Sequence, residues 1–104
     1  MYIIVLVTTK NVREANRIAT KLVKDKSIAC ANVVKGVKSI FWWQKKVNTA
    51  NEVLLILKAK KSCFKKIVKT VTLLHNYEVP EIIALPIIDG SRDYFKWIEE
   101  SCSS

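Results

Sequence analysis

Apolar residues come along this chain first as an unbroken run, then at helical spacing, then in runs again. Tyr2-Ile-Ile-Val-Leu-Val-Thr-Thr9 is apolar and mostly β-branched, as in a central strand covered on at least one face. Asn11 follows as a side-chain acceptor for a helix N-cap, with Glu14 three residues on as in a capping box. Val12, Ala15, Ile18, Ala19, Leu22 and Val23 then recur at helical spacing, with Arg13, Arg17, Lys21 and Lys24 outside. From Ile28 to Trp43 the pattern returns to strand, broken at Gly36 as at a bulge or sharp bend. Gln44-Lys45-Lys46 is the polar tip of a long hairpin, and the return strand gathers at Glu52-Val-Leu-Leu-Ile-Leu-Lys58. Val47 to Asn51 lies between them with no pattern that sets the register.

Ser62 reads as the cap of a second helix carrying Phe64, Ile67, Val68, Val71 and Leu74. A connector, residues 75–81, leads to a last strand, Ile82 to Ile88. Pro86 lacks an N–H for a ladder, so it belongs on an edge or at the end of pairing. Asp89-Gly90 turns the chain, and Ser91 caps a final helix with Tyr94, Phe95, Ile98 and Cys102 on its apolar side. Strand, helix, strand, strand, helix, strand is the α+β, ferredoxin-like order (split βαβ, or βαββαβ) with an added C-terminal helix, and residues 1–104 read as one domain. Two helices on one face of the antiparallel sheet leave its other face bare. So apolar a face needs a cover, and a sibling subunit is the usual one. Alternation sets Trp42 opposite Phe41 and Trp43, so a fully solvated hairpin would expose at least one large ring.

Charge changes the picture only partly. Eighteen basic side chains against nine acidic ones give +9, which raises nucleic acid or another acidic surface as a partner. Lys58, Lys60, Lys61, Lys65, Lys66 and Lys69 form a basic stretch, while Glu78, Glu81, Asp89, Asp93, Glu99 and Glu100 make the end acidic. A charge run of this kind reads as a solvated face. An RNA-recognition sheet stacks bases on strand aromatics, and neither Ile3 to Val7 nor Val53 to Leu57 has any. No nucleic-acid partner is expected. Cys30, Cys63 and Cys102 are odd in number and lack C-x-x-C spacing, which speaks against disulfides and structural zinc and for a reducing compartment, the cytoplasm. Cys30, between two alanines, reads as a buried strand cysteine. No apolar stretch is long enough to span a bilayer, and no membrane association is expected.

The connector gathers the candidate chemistry. His75, the only histidine, is followed by Tyr77, Glu78 and Glu81, and Val79-Pro80 biases the backbone to an extended form. One nitrogen and two carboxylates suit copper or zinc if they converge. The bland alternative is a helix C-terminal imidazole complementing the dipole, with Tyr77 and the carboxylates bonding backbone. Neither a nucleophile nor a glycine-rich anion loop accompanies them, so no enzyme activity and no organic cofactor are read.

Ser27-Ile-Ala-Cys-Ala-Asn32, Ser39-Ile-Phe-Trp-Trp43, Glu52 to Lys58, His75-Asn-Tyr-Glu-Val-Pro-Glu-Ile82 and Tyr94-Phe-Lys-Trp-Ile98 together resemble the CutA divalent-cation tolerance proteins over essentially the whole chain. The resemblance implies a ferredoxin-like subunit in a tight homotrimer, its hairpin strands extending sheets across subunit boundaries. It implies binding of, or response to, copper and other divalent ions. Metal contacts would fall on His75 and Glu81, and inter-subunit clefts would use Trp43, Tyr77 and Glu78. The related alternative is a PII-like trimeric scaffold whose clefts take a small anion or a partner protein. Two departures stand out. The family's usual proline after the histidine is Asn76 here, which loosens the connector. Its usual Glu-Gly-Lys tip is Gln44-Lys45-Lys46, without the carboxylate or the turn glycine.

Overall fold

The computed structural model describes residues 1–103. The first apolar run forms β1 (Tyr2–Thr9), followed by α1 (Val12–Lys24), β2 (Cys30–Trp43), β3 (Lys46–Lys60), α2 (Phe64–Leu74), β4 (Ile82–Pro86) and α3 (Arg92–Ser101). The four strands make one antiparallel sheet in the order β2-β3-β1-β4. β1 is therefore zipped on both sides, to β3 from Tyr2↔Lys60 to Thr9↔Val53 and to β4 from Ile3↔Pro86 to Val7↔Ile82.

Strand alternation decides what is buried. Val5 and Val7 of β1 and Leu55 and Leu57 of β3 are fully enclosed, in one core with Ala15, Ile18 and Leu22 of α1 and Ile67 and Val71 of α2. Ile4, Leu6, Leu54 and Ile56 point to the other face, beside Ile83 and Leu85, which are nearly half exposed. α3 covers only the Tyr2 end of that face. Phe95 stacks on Tyr2 at 4.7 Å between ring centres, and Glu99 accepts bonds from the Tyr2 hydroxyl and the Lys60 ammonium. Gly90 is required by close approach, since a Cβ there would lie 2.7 Å from the Phe95 ring.

Several local expectations are met in detail. Asn11 caps α1 by accepting from the Glu14 N–H, and Ser91 caps α3 by accepting from the Tyr94 N–H. Gly36, at φ +73°, sits in a bulge where the β2–β3 register shifts between Val34 and Val37. Pro86 ends β4, which is an edge strand. The register of residues 46–51, which the sequence leaves open, is set by a two-residue turn: Gln44 and Lys45 both adopt left-handed conformations (φ +50° and +64°), and Trp43 pairs with Lys46. This is the hairpin geometry that favours Asn-Gly, achieved here without glycine. The Asn48 side-chain amide donates to the carbonyls of Trp43 and Lys46, bracing the turn.

Other details differ. Ser62 does not cap α2; it lies inside a 3-10 turn, Lys61–Cys63, and Cys63 takes the cap position with no side-chain bond. The last strand stops at Pro86 instead of Ile88, although Ile87 still donates to the Tyr2 carbonyl. Val23 is 45% exposed, rotated past the edge of the apolar stripe, and Cys30 is only half-buried, flanked by Tyr94 of α3 and the Lys58 ammonium and not enclosed in the core. All three cysteines are free thiols.

The hairpin is the longest feature. Its strands of 14 and 15 residues stretch the molecule to 44 × 26 × 22 Å. Towards the tip Trp42 is 71% exposed, Ile40 66% and Trp43 56%. The burial contrast on α1 gives a direct check of the core. Ile18→Ala should cost about 2–5 kcal/mol in chemical denaturation through the cavity it leaves, while Val23→Ala should stay within about 0.5 kcal/mol.

Candidate functional site

α2 ends where His75 leaves helical geometry (φ −78°, ψ 142°), its N–H still bonded to the Val71 carbonyl at 2.8 Å. The imidazole is buried and both nitrogens are engaged. Nε2 lies 2.6 Å from the Thr8 carbonyl oxygen, and Nδ1 accepts the Tyr77 N–H at 3.0 Å. A nitrogen that accepts carries no proton, so the ring is the neutral tautomer with hydrogen on Nε2. The residue thus fastens the end of β1 to the start of the connector, a different job from a charge at a helix C-terminus.

The next residue is fastened too. Asn76 donates its N–H to Glu14 Oε2 at 2.8 Å, and Glu14 Oε1 accepts the Lys10 N–H at 3.1 Å. Glu14 is buried on the first turn of α1. Its carboxylate does not return to the Asn11 N–H, as a full capping box would have it, but bridges the helix start and the connector. A proline at position 76 has no N–H to give. The substitution that was expected to loosen the connector instead supplies a bond.

Tyr77 turns outward beside this anchor, its ring tilted 50° to that of His75 at 4.8 Å. The phenol donates to Glu52 Oε2 at 2.7 Å. Burial first, and then the Glu52 carboxylate by hydrogen bond and charge, push the phenol up to about 12. Glu52 itself is buried at the start of the apolar part of β3.

Between the connector and the hairpin lies a cleft of about 940 Å³. Trp43 and Phe41 form its hairpin wall, and Tyr77, Glu78 and Glu81 its connector wall, with Glu52 between them. The structure therefore brings together four of the five residues singled out in the sequence, and His75 sits behind them as their anchor. Glu78 and Glu81 are exposed. The lining holds three carboxylates and no lysine or arginine, in a chain of net charge +9. Among the described residues no three His, Cys, Asp or Glu side chains converge as a ready metal-ligand group. Glu52 and Glu14 were not identified from the sequence. The available signal was a lone acid opening the run Val53 to Leu57, and a capping glutamate on an otherwise basic helix face.

The Tyr77–Glu52 bond has a pH signature. The phenol is held protonated up to about 12 in the folded protein against 10.0 unfolded. Its stabilising contribution is therefore complete below pH 10 and is lost as pH rises towards 12. Ultraviolet titration of tyrosinate, with Tyr77→Phe as the reference, should show one late-titrating phenol. Glu52→Gln should bring it part of the way down, because burial is the larger cause.

Residues 3–101 match the model of the family described as CutA1 divalent ion tolerance protein. The divalent-cation tolerance protein CutA of Thermus thermophilus is 42% identical over 98 residues, 94% of this chain and 95% of its own length. Its solved structure superposes with a TM-score of 0.97 at 41% identity, covering 99% of this chain and 100% of that one. A structure from Archaeoglobus fulgidus, titled a periplasmic divalent cation tolerance protein CutA, gives 0.95 at 35% identity over 97% of this chain and 98% of its own. The chloroplastic CutA 1 of Oryza sativa is 40% identical over 95% of this chain, and the chain spans only 56% of that relative's length and 54% of the Arabidopsis thaliana one. Motifs, topology and the family match lead to one place: the chain belongs to the CutA divalent-cation tolerance family and shares the ferredoxin-like fold of its solved structures.

Proposed function

We propose that this protein is a homotrimeric module that binds divalent ions, copper among them, in the cleft between connector and hairpin. The observation that carries the reading is the cleft's charge: Glu52, Glu78 and Glu81 line it with no cation, although the chain as a whole is strongly basic. A +9 chain does not steer cations from a distance, so capture depends on such a local reversal of sign. Glu81 is the proposed oxygen ligand. His75 joins it by surrendering the Tyr77 N–H from Nδ1, which leaves Nε2 on Thr8 as the outer bond that orients a ligating imidazole. Trp43, Tyr77 and Glu78 shape the cleft around the ion. Two exposed carboxylates and an engaged imidazole are an open donor set in one chain, so a neighbouring subunit or water completes the coordination. A reducing compartment such as the cytoplasm suits the three free thiols.

The trimer reading rests on the bare sheet face of Ile83 and Leu85 and on the exposed Ile40, Trp42, Trp43 and Val47 of the hairpin, more apolar surface than an isolated subunit tolerates. A second reading, a PII-like scaffold, draws on the same exposed rings for a partner protein, but three carboxylates repel the small anion it would otherwise take.

Calorimetric titration with copper(II) under controlled redox conditions tests the site. Saturable binding on the order of one ion per chain, weakened at least about tenfold in Glu81→Gln and in His75→Ala, is the expected result. Binding unchanged by Glu81→Gln would overturn the assignment, and circular dichroism of His75→Ala separates loss of a ligand from loss of the anchor. Light scattering checks the assembly separately. The mass should be three times the 11.9 kDa chain, and a stable monomer would remove the trimer.

A further inference from the structure

Residues 10–26 and 61–74 contain ten of the eighteen basic side chains and two of the nine acidic ones. These segments therefore hold +8 of the net +9, and the rest of the chain is close to neutral. In the sequence they are two separate runs. In the fold they become one surface, because α1 and α2 pack side by side and antiparallel. Glu14 meets Asn76, Arg17 donates to the Leu74 carbonyl at 2.6 Å, and Lys66 donates to the Asp25 carbonyl at 2.7 Å.

Both acids on this surface are already spent. Glu14 is buried and holds two backbone N–H groups, and Asp25 is paired with Lys21 at 3.2 Å. On α1, Arg13, Arg17, Lys21 and Lys24 fall within an arc of about 80°, opposite the buried Ala15, Ile18 and Leu22, along about 16 Å of helix. On α2, Lys65 and Lys69 point away from the buried Ile67 and Val71. Arg13, Lys24, Lys65 and Lys69 are exposed and make no hydrogen bond or ion pair among the described residues. The apolar stripes of both helices are consumed by the core, so this face has little to insert into a bilayer; Val23 and Leu73 are its only exposed large hydrophobic residues.

We infer that the outer face of α1 and α2 is a binding surface for the phosphate backbone of nucleic acid, independent of base sequence. Four unengaged cations, Arg13, Lys24, Lys65 and Lys69, spread over two adjacent helices with Arg17 and Lys21 between them, neutralise a regularly charged strand and release its counterions. The absence of aromatic side chains on this face, like the absence of a strand platform, removes base stacking and leaves positioning contacts only. Most of the surface lies on the helix side of the sheet, opposite the bare apolar face, and only Lys65 at its end also lines a groove that reaches Leu85 and Glu99, so burial of that face in an oligomer leaves Arg13, Lys24 and Lys69 accessible. The expectation of no nucleic-acid partner was drawn from the strands and from a basic run taken alone; it did not include the joining of two runs across the helix pair.

The test is fluorescence anisotropy with a short labelled DNA duplex of arbitrary sequence, at salt from about 50 to about 200 mM. Three full-length proteins are compared: the wild type, the quadruple variant Arg13→Gln/Lys24→Gln/Lys65→Gln/Lys69→Gln, and a hairpin variant, Lys35→Gln/Lys38→Gln/Lys45→Gln/Lys46→Gln, that loses the same charge elsewhere. The wild type should bind with a steep salt dependence, irrespective of sequence. The helix-face variant should lose at least about tenfold in affinity, with its logarithmic salt slope reduced by about 3–4, and the hairpin variant should lose much less. No binding at the low-salt end, or equal losses in the two variants, would overturn the inference. So would retention by phosphatidylserine vesicles without DNA binding, since the surface would then serve a membrane. Circular dichroism confirms that each variant is folded.

Discussion

Everything in this fold hangs from the double pairing of β1. The strand hydrogen-bonds to β3 on one side and β4 on the other, and its buried positions carry α1 and α2. Zipping one strand on both edges leaves it no freedom of register, because a slip of one residue would turn Val5 and Val7 out of the core and Ile4 and Leu6 in. It also determines where the connector ends up. The Thr8 carbonyl near the end of β1 receives the His75 imidazole, so the geometry of the cleft is inherited from the central strand through one side chain.

That inheritance gives the connector a rigidity that its composition does not suggest. Three long-range bonds hold it, from His75 to Thr8, from Asn76 to Glu14 and from Tyr77 to Glu52, and each partner lies on a different element. Glu78 and Glu81 are left free to face the cleft because their neighbours take the structural work. The acidic cleft and the basic helix face are products of the same arrangement. Glu14 links the two without lining the cleft: it sits on α1 but neutralises nothing on the outer face, since its carboxylate is turned inward to the connector.

The elements were largely legible from the sequence because each rests on a local period. β1, the stripe of α1, the bulge at Gly36, the caps Asn11 and Ser91 and the edge position of the Pro86 strand all follow from residues close together in the chain. Misses occur where a neighbour distant in sequence decides the outcome. Cys30, set beside Tyr94 of α3, is half-buried and not enclosed, while the one local miss is Ser62, displaced from its capping role by a 3-10 turn. The site was legible as a segment but not as a constellation. Tyr77, Glu78 and Glu81 were identified by type and Trp43 through the family resemblance, whereas Glu52 and Glu14 are separated from their partners by 25 and 62 residues. The role of His75 was invisible for the same reason, since its main partner is 67 residues away. The hairpin register could not be read because its turn uses two residues, Gln44 and Lys45, that have no intrinsic preference for the left-handed region.

The hairpin has a consequence for how order is distributed through the molecule. Beyond Val53, β3 runs without β1, so residues 37–52 form a two-stranded ribbon that carries no layer of its own. Such a ribbon is marginal in water when unsupported, and its turn stores unfavourable backbone torsion at two positions. The base of the ribbon draws its stability from within the chain, through Glu52 and Tyr77. The tip has only the Asn48 brace on its turn, so in the homotrimer proposed above its persistence becomes a collective property, set by protein concentration and not by the subunit alone. In that proposed assembly one wall of the cleft, the one bearing Trp43, is only as firm as the contacts the ribbon finds outside its own subunit.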